Sequence, residues 1–320
     1  MQDVHTHGLT KFSGAGIKPD VVLHSARSND KVPDKQAIEL MGEFKSDKSC
    51  DPFVDDGPDD IRSATKNGSD CLAQITGYAT CHMAMQPRTH IFQFMVIADY
   101  VRLLRWDRSG VVVTRKFDLN AKNLVEFFWR FNHLGKADRG WDDTMKEPSK
   151  EELEEAKVKL EEAERRLGKG DDLSPYYAKI CLEKDTYIIH RLSHTGTESP
   201  FGRATRAFAA YSLRSKKVVF LKSTWRVMGD TRKPEHEIYE ELHSAGVKHI
   251  PHVVEGQDVP GHVTKTQDAD DEFRKFTKNL RTLQQYILVL EELGRGLSSF
   301  QSSKELLGVL GDAAEGTLPD

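Results

Sequence analysis

The sequence predicts an α+β chain built in two parts. Three observations carry this. Up to about residue 145, β-rich runs alternate with two amphipathic helices. A charged stretch with a capping box follows, over about 146–175. The remainder reads strand, strand, strand, helix, strands, helix. At roughly 150 residues per domain, 320 residues also suggest about two domains. The expected division is a disordered N-terminus at 1–19, an α+β domain at 20–145, a charged connecting helix at 146–175 and a second domain at 176–320.

In chain order, residues 1–19 are polar and read as a frayed end. His5 and His7 offer metal-type ligands, but nothing nearby completes a site. Val21–Leu23 and Ala37–Phe44 are short apolar runs expected to be strands. Residues 46–69 are rich in Asp, Pro, Gly and Ser and read as a loop. Ser69–Met85 is the first helix, with Ser69 or Asp70 as its cap and Pro87 beyond its end. His90–Ala98 and Tyr100–Trp106 are β-rich. The latter leads through Asp107-Arg108-Ser109-Gly110 into Val111–Thr114, a hairpin expected to use Gly110 at positive φ. In Asn123–Leu134, Leu124, Phe127, Phe128 and Phe131 fall at i, i+3, i+4 and i+7, so one face is buried.

Ser149 and Glu152 make a capping box. Leu153, Leu160 and Leu167 then recur every seven residues, too briefly to specify a coiled coil or an oligomeric state. The segment reads as a solvated connector. Beyond it, strands are expected at Thr186–Leu192, Thr205–Leu213, Val218–Lys222, Val263–Thr266 and Tyr286–Leu290. Helices are expected at Pro234–Ser244 and from Ser302. Asp268–Asn279 is charged and reads mainly as loop.

Composition narrows the function classes. Hydrophobic residues make up 38% and the net charge is −4, so the chain is globular and not a bulk polycation. No apolar run approaches the roughly 20 residues of a membrane helix. The N-terminus lacks a basic and an apolar segment, so no secretory signal is read. Cys50, Cys71, Cys81 and Cys181 form no Cys-x-x-Cys, which fits a reducing compartment. The expected location is intracellular, with cytoplasm as the default.

Two constellations carry chemistry. In the second half, Gly196 and Gly202, followed by Ala204, lie between two strands, where backbone N–H groups can approach phosphates. Lys222 ends an apolar strand, so its charge needs a partner. Glu235 is the first choice, because Ile238, Tyr239 and Leu242 at +3, +4 and +7 place it on the inward stripe of its helix. Glu237 lies about 200° further round. Tyr286–Leu290 then runs as a buried strand into Glu291, Glu292 and Leu293.

In the first half, Asp20 follows Pro19, and Glu43 and Lys45 share one face of a strand. Gln74 and Tyr78 share one face of the next helix. Two carboxylates can hold Mg²⁺, and a Lys can orient or activate water at a phosphodiester. Arg102, Arg105 and Arg108 are candidate phosphate contacts, which leaves nucleic acid open as a partner. A Glu-x-Lys pair is also a common cross-strand salt bridge. The order is similar to restriction-endonuclease-like folds of the Pro-Asp…Glu-x-Lys type, although no helix precedes Asp20.

Several stretches together resemble the fungal-type protein kinase family. They are Asp51-Pro52-Phe53, the Trp106-Asp107-Arg108-Ser109-Gly110 turn, Arg139-Gly140-Trp141-Asp142, Phe201-Gly202-Arg203, Lys222-Ser-Thr-Trp225-Arg226, Gly246–Pro251 and Val289–Gly294. The resemblance covers most of 18–312 and implies a kinase N-lobe in the second half. It implies ATP and Mg²⁺ as cofactors, a protein substrate and Ser/Thr phosphorylation. It makes Lys222 the phosphate-binding lysine and Glu235 its helix partner. Gly196, Gly202 and Ala204 become the phosphate-covering loop. Leu290 becomes the gatekeeper, with Glu291 and Leu293 beside the adenine. The departure is that His-Arg-Asp and Asp-Phe-Gly, which carry the catalytic Asp and the metal ligand, are absent. The sequence reads as truncated before the catalytic loop and inactive by itself. The alternatives are a non-catalytic nucleotide-binding protein and a Mg²⁺-dependent nuclease-like N-terminal domain.

Overall fold

The computed structural model describes residues 9–12, 15–25, 37–56, 61–120, 122–167, 177–190, 199–229, 232–269 and 280–316. It has helices and two extended sheets, as the α+β expectation requires. His5, His7, Gly196 and most of 268–279 lie outside the described residues. The chain divides into two units.

Unit 1 comprises Met1–Asp143, His194–Ala204 and Val263–Leu283. Strands β1 (Leu9–Phe12) and β2 (Ala15–Ile17) pair antiparallel, where the sequence suggested a frayed end. The main sheet runs β3 (Val21–His24), β4 (Ile38–Lys45), β5 (His90–Ile97), β6 (Tyr100–Asp107) and β7 (Val111–Val113), with β8 (Phe117–Asp118) also on β6. β4 and β5 are parallel, so the chain crosses between them through helix α1 (Lys66–Met85).

β5 reads as a continuous apolar run because both of its faces are buried. Ile91, Met95 and Ile97 pack with Ile75, Ala79 and Met83 of α1. Phe92, Phe94 and Val96 pack with Phe127, Phe128 and Phe131 of α2 (Lys122–His133). The Phe94 ring fills the space over Gly42, where a Cβ would lie 2.2 Å from it.

Two local expectations are corrected here. Thr65, rather than Ser69 or Asp70, caps α1, and its hydroxyl accepts the Gly68 N–H. The loop expected at 46–69 therefore ends early, and it holds a 3₁₀ turn at Lys48–Cys50. Gly110 is not among the positive-φ glycines. The turn is organised instead by the Asp107 carboxylate, which accepts the Ser109 and Gly110 N–H groups, an Asx-type turn. Gly110 is needed for space, since a Cβ would meet Thr266 at 2.9 Å.

Unit 2 comprises Thr144–Ser193, Thr205–His262 and Gln284–Asp320. Strands β9 (Met145–Lys146), β10 (Tyr177–Cys181), β11 (Thr186–His190), β12 (Arg206–Ser212), β13 (Val218–Val227), β14 (Val253–Val263) and β15 (Leu283–Leu290) form one sheet in the order β14-β15-β13-β12-β11-β10-β9. One face is apolar, with Ile180, Tyr187, Ile189, Phe208, Val219, Leu221, Ile287 and Val289 in contact.

Helix α3 (Lys150–Arg166) covers part of the other face, with Ala156 and Leu160 against Ile188, Ala209 and Tyr211. The Leu-spaced segment is thus packed along one face and solvated along the other, rather than solvated all round. At its buried edge Glu164 meets His190 at 2.7 Å. The Ser149–Glu152 capping box forms as read from sequence. Helix α4 (Glu235–Ser244) follows β13, and helix α5 (Ser303–Glu315) lies near the C-terminal end. The strand expected at Val263–Thr266 is replaced by β14, which ends at Val263. Among the described residues no helix is long and apolar enough to cross a membrane.

Candidate functional site

In unit 2 the alternation of β13 places Val219 and Leu221 in the apolar core. Phe220 faces the Tyr286–Leu288–Leu290 cluster, and Lys222 shares its side of the strand. β13 continues five residues past Lys222, so the lysine stands within the strand rather than at its end. Its ammonium donates to both carboxylate oxygens of Glu235, at 2.9 and 2.7 Å. The two side chains are 21% and 30% exposed, so the pair is partly screened from water.

The first turn of α4 is fixed by Tyr286. Its hydroxyl accepts the His236 backbone N–H at 2.9 Å and meets His236 Nδ1 at the same distance. Gly256 leaves room for this contact, since a Cβ there would lie 2.6 Å from the Tyr286 hydroxyl. Burial pushes the Tyr286 phenol well above its ordinary range, which keeps it protonated.

The stripe expected on α4 is only partly used. Tyr239 packs on the Leu288 cluster, whereas Ile238 and Leu242 are 45% and 37% exposed. Glu235 faces inward because of Lys222, not because of those two apolar neighbours.

Leu290 is buried beside Tyr286 and Leu288, and Leu293 packs at the edge of the α3 cluster. The Glu291 N–H donates to the His252 carbonyl. Glu292 accepts the His252 N–H at 2.7 Å and meets His252 Nδ1 at 2.5 Å. That hydrogen bond, together with the Glu292 charge, raises the His252 imidazole above its ordinary range.

The described part of the expected phosphate-covering loop, 199–204, belongs to unit 1. There Phe201 stacks on Trp106, and the Gly202 N–H donates to the Arg108 carbonyl at 2.8 Å. Gly202 and Ala204 both have positive φ, at 87° and 40°. In this arrangement the Gly202 amide is already engaged, so it has no N–H to offer a phosphate.

The five residues singled out in the first half do converge in unit 1. Lys45 Nζ lies 2.5 Å from Glu43 Oε1 and 3.0 Å from Gln74 Oε1. Gln74 Nε2 donates to Glu43 Oε1 at 2.8 Å, and the Tyr78 hydroxyl donates to Glu43 Oε2 at 3.0 Å. Asp20 Oδ2 accepts the N–H of Phe44, the residue between Glu43 and Lys45. Burial pulls the Lys45 ammonium down, but Glu43 outweighs it, so Lys45 titrates above its ordinary range. Cys71, close to Lys45, is pushed up to about 11 by burial and stays a thiol.

The three arginines proposed as phosphate contacts serve the fold instead. Arg102 is 2% exposed and bridges Asp51 and Asp55, with further bonds to the Thr114 and Phe53 carbonyls. Arg108 is buried and donates to the Pro200 carbonyl. Arg105 pairs with Asp107 at 3.0 Å. Arg102 and Arg105 on β6, and Arg108 just past it, read as basic on paper but are engaged by carboxylates and carbonyls.

Comparison with known proteins adds one decisive match. The family model for fungal protein kinase aligns with residues 57–286, well over half of the chain. The chain belongs to the fungal protein kinase family. The matched span includes Lys222, Glu235 and Tyr286 and stops just short of Leu290. No curated protein and no solved structure matches significantly. The family implies a general dependence on ATP and Mg²⁺ and protein substrates.

Proposed function

We propose that unit 2 binds a magnesium nucleotide as the N-lobe of a fungal-type protein kinase. The observation that carries this reading is the Lys222–Glu235 pair. A lysine within an apolar strand is held by a helix carboxylate, an arrangement that positions a cation for a nucleotide's α- and β-phosphates. An ammonium has three donors, and Glu235 engages two of them. The donor set therefore suits a polyphosphate with no rearrangement of the helix. Leu290, Glu291 and Leu293 are the residues we assign to the purine. Gly196, Gly202 and Ala204 are not required in this reading, since the Gly202 amide is engaged elsewhere. Mg²⁺ would neutralise part of the charge of the bound polyphosphate.

These 320 residues contain no His-Arg-Asp and no Asp-Phe-Gly. We therefore assign them nucleotide binding without phosphoryl transfer. A full kinase activity on Ser/Thr hydroxyls of a protein needs a catalytic Asp from outside these residues. The test is titration calorimetry with Mg·ATP on wild type and Lys222→Met. The affinity is expected to fall at least about tenfold in the variant, near 1.4 kcal/mol. Equal affinity in the two proteins, or phosphate transfer by the wild-type chain alone, would overturn the reading.

A further inference from the structure

Unit 1 holds a constellation that nucleotide binding leaves unused. Three segments far apart in sequence meet there. The Asp20 segment precedes β3, β4 supplies Glu43 and Lys45, and α1 supplies Gln74 and Tyr78. Glu43 is 2% exposed and faces α1 beside an apolar cluster containing Met41 and Tyr78. A carboxylate there costs desolvation that a well-packed apolar side chain would avoid. Glu43 is held there by Lys45, Gln74 and Tyr78.

Lys45 is 23% exposed, so its ammonium sits over Glu43 at the solvent edge. There it provides the positive charge that a divalent cation can provide instead. Its flexible stem allows it to swing from Glu43 toward an incoming anion. Asp20 is exposed and anchored through one oxygen to the Phe44 N–H, and a carboxylate has a second oxygen to offer a cation. Gln74 and Tyr78 are positioning residues. They hold Glu43 and Lys45 in register from one face of α1.

We propose that Asp20 and Glu43 hold a Mg²⁺-class cation and that this site hydrolyses phosphodiesters. Hard cations prefer such oxygen donors, and one or two carboxylates suffice for Mg²⁺ when a phosphate completes the shell. The cation takes a phosphoryl oxygen, and Lys45 takes a second oxygen or orients the water. The water oxygen bonds to phosphorus as the bond from phosphorus to the leaving oxygen breaks. The water's proton is released to solvent, and the leaving alkoxide takes a proton from solvent. The products are a phosphomonoester and an alcohol, with no redox change.

The test uses the full 320-residue chain. Mn²⁺ binding is followed by electron paramagnetic resonance, and hydrolysis by release of nitrophenol from bis(4-nitrophenyl) phosphate with Mn²⁺. Supercoiled plasmid and single-stranded RNA, run in parallel, distinguish the natural source of the phosphodiester. Wild type is expected to bind Mn²⁺ and hydrolyse the small ester. Asp20→Asn, an exposed change that leaves the packed cluster intact, and Glu43→Gln are each expected to weaken Mn²⁺ binding about 10- to 100-fold. Lys45→Met is expected to keep Mn²⁺ but lose hydrolysis about 100-fold. Arg130→Gln, an exposed change on α2, should leave both Mn²⁺ binding and hydrolysis unchanged. Absence of Mn²⁺ binding, absence of hydrolysis, or hydrolysis that Asp20→Asn leaves intact would refute the proposal.

Discussion

The ion pair between Lys222 and Glu235 admits a quantitative test. Its two contacts, at 2.9 and 2.7 Å, join side chains that are 21% and 30% exposed. Fully exposed pairs contribute up to about 1 kcal/mol. Breaking a fully buried pair costs about 3–5 kcal/mol. This pair lies between those limits, so a coupling energy of about 1–2 kcal/mol is expected after screening. The assay is a double-mutant cycle with Lys222→Met, Glu235→Gln and the combination, unfolded in urea and followed by tryptophan fluorescence. Trp225, buried two residues beyond Lys222's neighbour Ser223, reports on this strand. Glu237→Gln is the control. It lies about 200° round the helix from Glu235 and should show no coupling to Lys222. A coupling below about 0.3 kcal/mol, or equal coupling to Glu237, would refute the paired arrangement on which the nucleotide site rests.

Three further outcomes are expected. Arg102→Met should cost about 3–5 kcal/mol in urea unfolding, because it strands the buried Asp51 carboxylate; a cost below about 1 kcal/mol would return Arg102 to the surface. Gly140→Ala should cost roughly 2–4 kcal/mol, since Gly140 has φ of 93° and a Cβ would lie 1.9 Å from the His90 carbonyl oxygen; an unchanged melting temperature would contradict that packing. Stability should fall on acidification. Burial and nearby Arg105 lower His90 to about 4, and burial and nearby Arg88 lower His82 further still. Each is neutral in the folded state but protonates near pH 6.5 when unfolded. Their contribution is therefore complete above pH 6.5. It is lost at about 1.4 kcal/mol per pH unit per histidine as pH falls toward 4, the window for urea midpoints.

Much of the fold was legible because its periods are clean. The α2 phenylalanines at i, i+3, i+4 and i+7 bury the face they predict. The β4–α1–β5–β6 order follows from apolar runs and one long helix pattern. β14 was missed for a physical reason: Gly256, Asp258, Pro260 and Gly261 break the β pattern on paper. Yet Gly256 is there to admit the Tyr286 hydroxyl, Asp258 pairs with Arg226, and an edge position tolerates Pro260.

The candidate sites show the same division. Lys222 with Glu235, and Glu43 with Lys45, Gln74 and Tyr78, were readable because strand and helix periods fix which side chains share a face. The loop around Gly202 was not, because its amide bonds to the Arg108 carbonyl, a tertiary contact that leaves no local pattern. The same holds for the buried arginines. Arg102 looks like a surface cation until Asp51, some fifty positions earlier, is placed beside it.

The most direct measurement of the nucleotide reading is hydrogen exchange of the full chain with and without Mg·ATP. Added protection is expected in β13 around Lys222, in the first turn of α4 and at Leu290–Leu293, with all three lost in Lys222→Met. No added protection at these segments, or protection that survives Lys222→Met, would contradict that reading.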